Sequence, residues 1–105
     1  MESIFGSIRR ERPERPWVAV GAPMVRYSKL PFRLLARRHN VDLAYTPMIL
    51  AASFIASPVA RNQEFQTCVA EDRQRLVVQF AADCPETFAK AAAMVADHVY
   101  AVDLN

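Results

Sequence analysis

Gln79 is the residue most at odds with its surroundings. It lies inside Leu76-Val77-Val78-Gln79-Phe80, a run that is otherwise apolar. A primary amide buried there without a partner costs about 1–3 kcal/mol, so it must bond to something. That partner is a backbone group, a water, or the polar edge of a heteroaromatic ligand. Asp103 and Asn105 are the second feature. They stand two residues apart at the end of another apolar run, which puts both on one face of an extended segment. Such a pair either lines a site or meets solvent at a strand end. Pro23 and Met24, and Thr46 to Met48, follow two further short apolar runs. All these residues stand where a strand hands over to a loop, the place where parallel α/β folds gather their chemistry.

Other chemistry finds little support. His39 reads as a cation at a helix end, and His98 has no identifiable partner. No His/Asp/Ser or His/Cys grouping suggests nucleophilic catalysis. The two glycines, Gly6 and Gly21, cannot build a phosphate loop or a dinucleotide fingerprint. Two cysteines, Cys68 and Cys84, are too few for a disulfide framework or a four-ligand zinc site, and no metal is expected. Cys84 stands near a helix start, where a thiol pKa can fall, but a small inert cysteine is the simpler reading.

The elements that must position these residues alternate. Residues 1–16, with Arg9, Arg10, Arg12 and Arg15 and two prolines, read as an irregular Arg/Pro-rich arm. Trp17 to Ala22 reads as a strand stopped by Pro23. A helix follows, with Ser28 as its N-cap, Pro31 in its first turn and Asn40 as its stop. Its apolar stripe is expected from Phe32, Leu34 and Leu35, with Arg33, Arg37 and Arg38 on the other side. Val41 to Thr46 reads as a second strand, ended by Pro47. Ile49 to Ala56 reads as a helix closed by Ser57-Pro58, and Arg61 to Arg75 as loop. Leu76 to Phe80 is the third strand, Pro85 to Asp97 a helix, and Tyr100 to Leu104 the fourth strand. This β-α-β-α-β-α-β order implies a parallel sheet wrapped by helices, either open and doubly wound or part of a (β/α)8 barrel.

Composition agrees with a single domain. The chain has 105 residues, 52% hydrophobic and 23% charged, which is globular and not disordered. No apolar run is long enough to cross a membrane, and the start lacks the apolar core of a secretory signal. An intracellular setting, cytoplasmic or nuclear, is expected. The net charge of +2 hides a split. Residues 1–40 carry nine Arg/Lys against three Glu (+6), and residues 41–105 four against eight Asp/Glu (−4). An anionic partner for the Arg-rich arm is one reading, and a solvated arm is the other.

Four blocks carry a resemblance: APMVRYSKLPFR at 22–33, DLAYTPMI at 42–49, LVVQFAA at 76–82 and VDLN at 102–105. Together they resemble the tRNA-dihydrouridine synthase family, in its eukaryotic four-like branch, over about residues 18–105. The resemblance implies an α/β fold, the N-terminal part of a (β/α)8 TIM barrel of parallel strands, about four β/α units. It implies an FMN-dependent reduction of uridine to 5,6-dihydrouridine in tRNA, with NADPH as reductant. On this reading residues 17–105 are a partial FMN-binding barrel domain. Pro23, Met24 and Val25 match the loop against the flavin, and Gln79 matches the flavin-contacting amide. Asn105 matches the first residue of an Asn-x-Gly-Cys-Pro stretch that meets substrate.

The catalytic cysteine of that stretch is not among the 105 residues. Since a barrel takes about 250 residues, the chain is expected to be inactive alone, weak in holding FMN and prone to self-association. Two alternatives remain: a non-enzymatic interaction fragment that pairs through open sheet edges, and another FMN barrel of the dihydroorotate-dehydrogenase kind.

Overall fold

The computed structural model describes residues 3–105. Its first element corrects the sequence reading. The segment taken as an irregular arm contains a helix, α1 (Ile4–Glu11), started by the Ser3 hydroxyl, which accepts from the Gly6 N–H at 3.2 Å. Ile8 is buried on it, which the Arg count conceals. Pro13 and Pro16 act only downstream of it.

The first strand, β1 (Val20–Gly21), is shorter than expected, and Trp17 is exposed. Helix α2 (Leu30–Arg38) starts from Lys29, not Ser28, with Pro31 in its first turn. The Ser28 hydroxyl is turned back onto the preceding loop instead. Asn40 does end the helix, at φ 72°, a left-handed position that asparagine tolerates. The expected stripe is inverted: Arg33 is buried, and Phe32 and Leu35 are exposed. Arg33 faces inward because a buried carboxylate, described below, waits for it there.

The second strand is interrupted. β2 (Leu43–Tyr45) and β3 (Ile49–Leu50) both pair with β4 (Leu76–Ala81), on either side of Thr46-Pro47-Met48. Proline lacks the N–H that a continuous ladder needs. The expected helix from Ile49 therefore begins two residues later, as α3 (Ala51–Ala56). Ser57 ends it and starts α4 (Pro58–Glu64), its hydroxyl accepting from the Ala60 N–H at 3.1 Å. That second helix falls partly in the stretch read as loop. A short 3-10 turn at Arg73–Arg75 leads into β4. Helix α5 (Pro85–Val95) and β5 (Ala101–Leu104) complete the chain.

Every strand pair is parallel, and the order β1, β2/β3, β4, β5 runs in one direction. A doubly wound sheet would reverse at a switch point. The one-way order is that of the N-terminal part of a (β/α)8 barrel. Alternation sends Leu76, Val78 and Phe80 to the helix side, where they pack with Ile49, Phe54, Ala91 and Val95. Phe54 meets Phe80 edge-on, with ring centroids 5.1 Å apart. Val77 and Gln79 point the other way, into the concave face.

Candidate functional site

β4 lies between β2/β3 and β5, so Gln79 is near the centre of the sheet. The register sets it beside Asp103. Its Nε2 donates to Asp103 Oδ2 at 2.8 Å, and its Oε1 accepts from Asn105 Nδ2 at 3.4 Å. Within the chain its side-chain partners are thus the neighbouring strand's acid and the amide just after it. A carboxylate can only accept, so Asp103 fixes which end of the amide is which. A primary amide offers two N–H groups and two lone pairs. One of each is used by these contacts, and Gln79 remains 8% exposed.

The loop after β1 is held from within. Met24 N–H donates to Ser28 Oγ at 2.8 Å, and Met24 C=O accepts from Ser28 Oγ at 3.0 Å and from the amides of Tyr27 and Ser28. The main chain of Met24 is thus turned inward, leaving its thioether side chain exposed at the rim. Arg26 adopts φ 73° in this turn. Two open grooves flank this end of the sheet. One, of about 370 Å³, runs between Val25 and Pro47-Met48. The other, of about 330 Å³, lies between Leu50 and Ala81-Ala82.

The loop and α2 are anchored by a buried ionic cluster. Glu71 accepts from Arg33 Nε at 2.8 Å and Arg33 Nη2 at 3.0 Å, from Arg37 Nη2 at 2.9 Å and from Thr67 Oγ1 at 2.9 Å. Arg33 also donates to the carbonyls of Ser28 and Gln66. Burial pushes the Glu71 carboxyl up. The Arg33 hydrogen bond and charge, with Thr67 and Arg37, outweigh it and hold the pKa below the usual glutamate value. A second acid, Asp42, sits at the opposite end of the sheet. It accepts from Arg15 Nη2 at 2.9 Å and from the Ala19 N–H at 2.9 Å, and pairs with Arg12 Nε at 2.9 Å. Burial raises its pKa, but the Arg15 and Ala19 bonds and the two guanidinium charges lower it further. Arg12 and Arg15, read from the sequence as facing either solvent or an anionic partner, are thus engaged inside the chain, at the N-terminal ends of the strands.

Comparison with known proteins decides the lineage. Residues 20–105 match the family described as dihydrouridine synthase (Dus). The chain belongs to the dihydrouridine synthase family. A Mus musculus protein named tRNA-dihydrouridine(20a/20b) synthase-like is 48% identical over 112 residues, covering 99% of this chain and 34% of the mouse protein. Its Homo sapiens counterpart is 48% identical over 88 residues, 84% of this chain and 27% of its own. The Schizosaccharomyces pombe tRNA-dihydrouridine(20a/20b) synthase is 47% identical over 102 residues, 97% of this chain and 29% of its own. All three names specify NAD(P)+. The chain thus spans about a third of the length of these curated relatives.

Within this dihydrouridine synthase segment, the structure brings Gln79 and Asn105 together and adds Asp103 between them. Val25 lines the first groove, with Pro23 and Met24 just before it in the same loop. No hydrogen bond joins Met24 to Gln79; they share the C-terminal end of the parallel strands. Sequence reasoning placed Thr46 at a strand end but missed its supporting bond: its Oγ1 accepts from the Gln79 N–H at 3.2 Å. It also missed Glu71, a lone acid in a stretch read as loop. The excess of arginines across α2 was the available signal for a buried counter-charge.

Proposed function

We propose that the chain forms the first part of the flavin pocket and substrate mouth of an enzyme that reduces uridine to 5,6-dihydrouridine in tRNA, with FMN as cofactor and NADPH as electron source. The observation that carries this is the Gln79 amide. Asp103 holds it in one orientation, and it has a donor and an acceptor left for the polar edge of an isoalloxazine ring, so the residues fit the group. When bound, the flavin supplies hydride chemistry at the uracil ring. The chain's own residues bind and orient. Gln79 recognises the ring edge, and Asp103 stops the amide from flipping. The Met24 side chain, on a loop shaped by Pro23 and Val25, would help hold the flavin. Asn105 orients the target base, which must leave its stack to reach the mouth. The proton for uracil C5 is assigned to neither cysteine: Cys68 precedes β4, and Cys84 caps α5 with its Sγ 3.0 Å from Thr87 Oγ1. The 105 residues by themselves are therefore proposed to hold FMN weakly and to turn nothing over.

A chimera tests this reading. Residues 20–105 replace the matching stretch of the Schizosaccharomyces pombe relative, and flavin absorbance and tRNA dihydrouridine are measured. The chimera is expected to retain flavin and form dihydrouridine. Gln79→Leu within it is expected to weaken flavin binding at least about tenfold, the loss of one buried hydrogen bond. A folded chimera that carries no flavin overturns the proposal.

A further inference from the structure

Ser28 stands one residue before the cap of α2, yet its hydroxyl is not used on the helix. α2 starts from Lys29, with no side-chain cap. The Ser28 hydroxyl closes a ring with one residue of the β1 loop instead. It accepts from the Met24 N–H at 2.8 Å and donates to the Met24 C=O at 3.0 Å. A single side chain thus engages both polar groups of the Met24 main chain. Ser28 is held in its turn. Its carbonyl accepts from Arg33 Nη1 at 2.8 Å, and Arg33 forks onto Glu71. Ser28 and Arg33 are each 2% exposed and Glu71 4%, so the whole relay is shielded from water. Between Met24 and Ser28, Arg26 sits at φ 73°. Non-glycine residues stay in that region only where their surroundings over-determine it. The Met24 ring, with the Tyr27 and Ser28 amides donating to the Met24 C=O, supplies that constraint.

We propose that Ser28 is a positioning residue for the flavin, clamping the Met24 main chain so that Pro23, Met24 and Val25 keep one shape, and that Arg33 sets Ser28. The inference rests on the proposed function, in which this loop helps hold the flavin. A helix cap would place the Ser28 hydroxyl on an amide of the first turn of α2, where it is not found. With the clamp intact the loop is preorganised, and binding carries no further ordering cost there. Without it the Met24 N–H loses its acceptor, Arg26 relaxes, and the loop spreads over several shapes. Flavin affinity then falls by the fraction of molecules left in the binding shape. Arg37 gives the contrast. It donates to the same Glu71 but to the Arg75 carbonyl in place of Ser28. It therefore separates the anchoring of α2 from the positioning of the loop.

Two measurements test the clamp: FMN affinity of the chimera described above, by flavin fluorescence, and amide hydrogen exchange of the 105-residue chain without flavin. Ser28→Ala should weaken FMN binding about tenfold, as when one molecule in about ten keeps the binding shape. It should also speed exchange at the Met24 amide while the amides of β4 keep their protection. Ser28→Thr, which retains the hydroxyl, should restore both. If Ser28→Ala does not fold, Ser28→Cys carries the test, with a similar shape and only a weak S–H bond. Arg33→Lys keeps the charge beside Glu71 but not the fork, and should also weaken FMN binding. Combined with Ser28→Ala it should cost about tenfold and not about a hundredfold, because both act through one loop. Arg37→Lys should lower the melting temperature and leave FMN affinity at the wild-type value. Met24 and β4 amides speeding up together, no rescue by Ser28→Thr, or equal FMN losses for Arg37→Lys and Arg33→Lys each overturns the inference. A chimera that holds flavin and is indifferent to Ser28→Ala sinks the clamp and leaves the proposed function standing; a folded wild-type chimera without flavin overturns both.

Discussion

Glu71→Gln is expected to be the most damaging single-atom-scale change in the chain. Glu71 is 4% exposed and Arg33 2% exposed, so neither charge has water as a substitute partner. Glutamine keeps the shape and one carbonyl oxygen but no charge, leaving the Arg33 guanidinium buried without its counter-ion. Breaking a buried pair from one side costs about 3–5 kcal/mol. Set against a total stability of about 5–15 kcal/mol for a domain, that is a large fraction. It corresponds to a melting temperature lower by about 12 °C or more for a chain of this size. The pH dependence gives an independent check. The folded Glu71 pKa lies below the ordinary value of 4.5, so the unfolded chain binds the proton more readily. The stabilisation is complete above about 4.5 and is lost as pH falls through the folded value. Thermal melts by far-UV circular dichroism, from neutral pH downwards, should show a steep loss below 4.5 in the wild type and a flatter one in Glu71→Gln. A variant that melts within about 2 °C of wild type at pH 7, or keeps the wild-type acid slope, would refute the placing of this ion pair at the centre of the α2 anchor.

Asp42→Asn removes the charge that holds Arg12 and Arg15. Hydrogen exchange is expected to show the amides of α1 losing protection while those of β4 keep theirs, because the helix is fastened to the sheet through that acid. Gln79→Glu would set two carboxylates in the place of a 2.8 Å hydrogen bond, so it should destabilise more at pH 7 than at pH 4, read by urea titration at each pH. Phe54→Ala empties the contact between Phe80 at 5.1 Å and Phe65 at 6.5 Å and should cost about 3–5 kcal/mol in the same assay at neutral pH.

The strands of the sheet were legible from their apolar runs, two of which are stopped by Pro23 and Pro47. Leu76–Ala81 follows its pattern almost to the residue. What was not legible depends on partners far along the chain. Helix α2 shows apolar residues on the side that periodicity selects, yet Arg33 is the buried one, since its partner lies 38 residues away and no local pattern announces it. α1 was hidden because its basic residues outnumber its single buried anchor, Ile8. The Thr46-Pro47 break was visible, but its effect was not: it ends one strand and allows a second two residues later, in the place of a helix start. At the strand ends, the oddity of Gln79 in an apolar run announced that it needs a partner, and the spacing of Asp103 and Asn105 placed both on the face that meets it. That the three bond to one another follows from the parallel register, which only the folded sheet supplies.

The interrupted strand also governs how far this region can drift in sequence. Elsewhere in the sheet the amides of β4 meet main-chain carbonyls, which every amino acid carries. At Gln79 the amide meets the Thr46 hydroxyl, which in turn donates to the Pro47 carbonyl at 3.0 Å. A valine would fill the same space and supply no oxygen, so volume alone does not qualify a replacement. Only a short alcohol satisfies both bonds, and position 46 is narrowed to threonine or serine for reasons of wiring, one layer beneath the residue proposed to face the flavin.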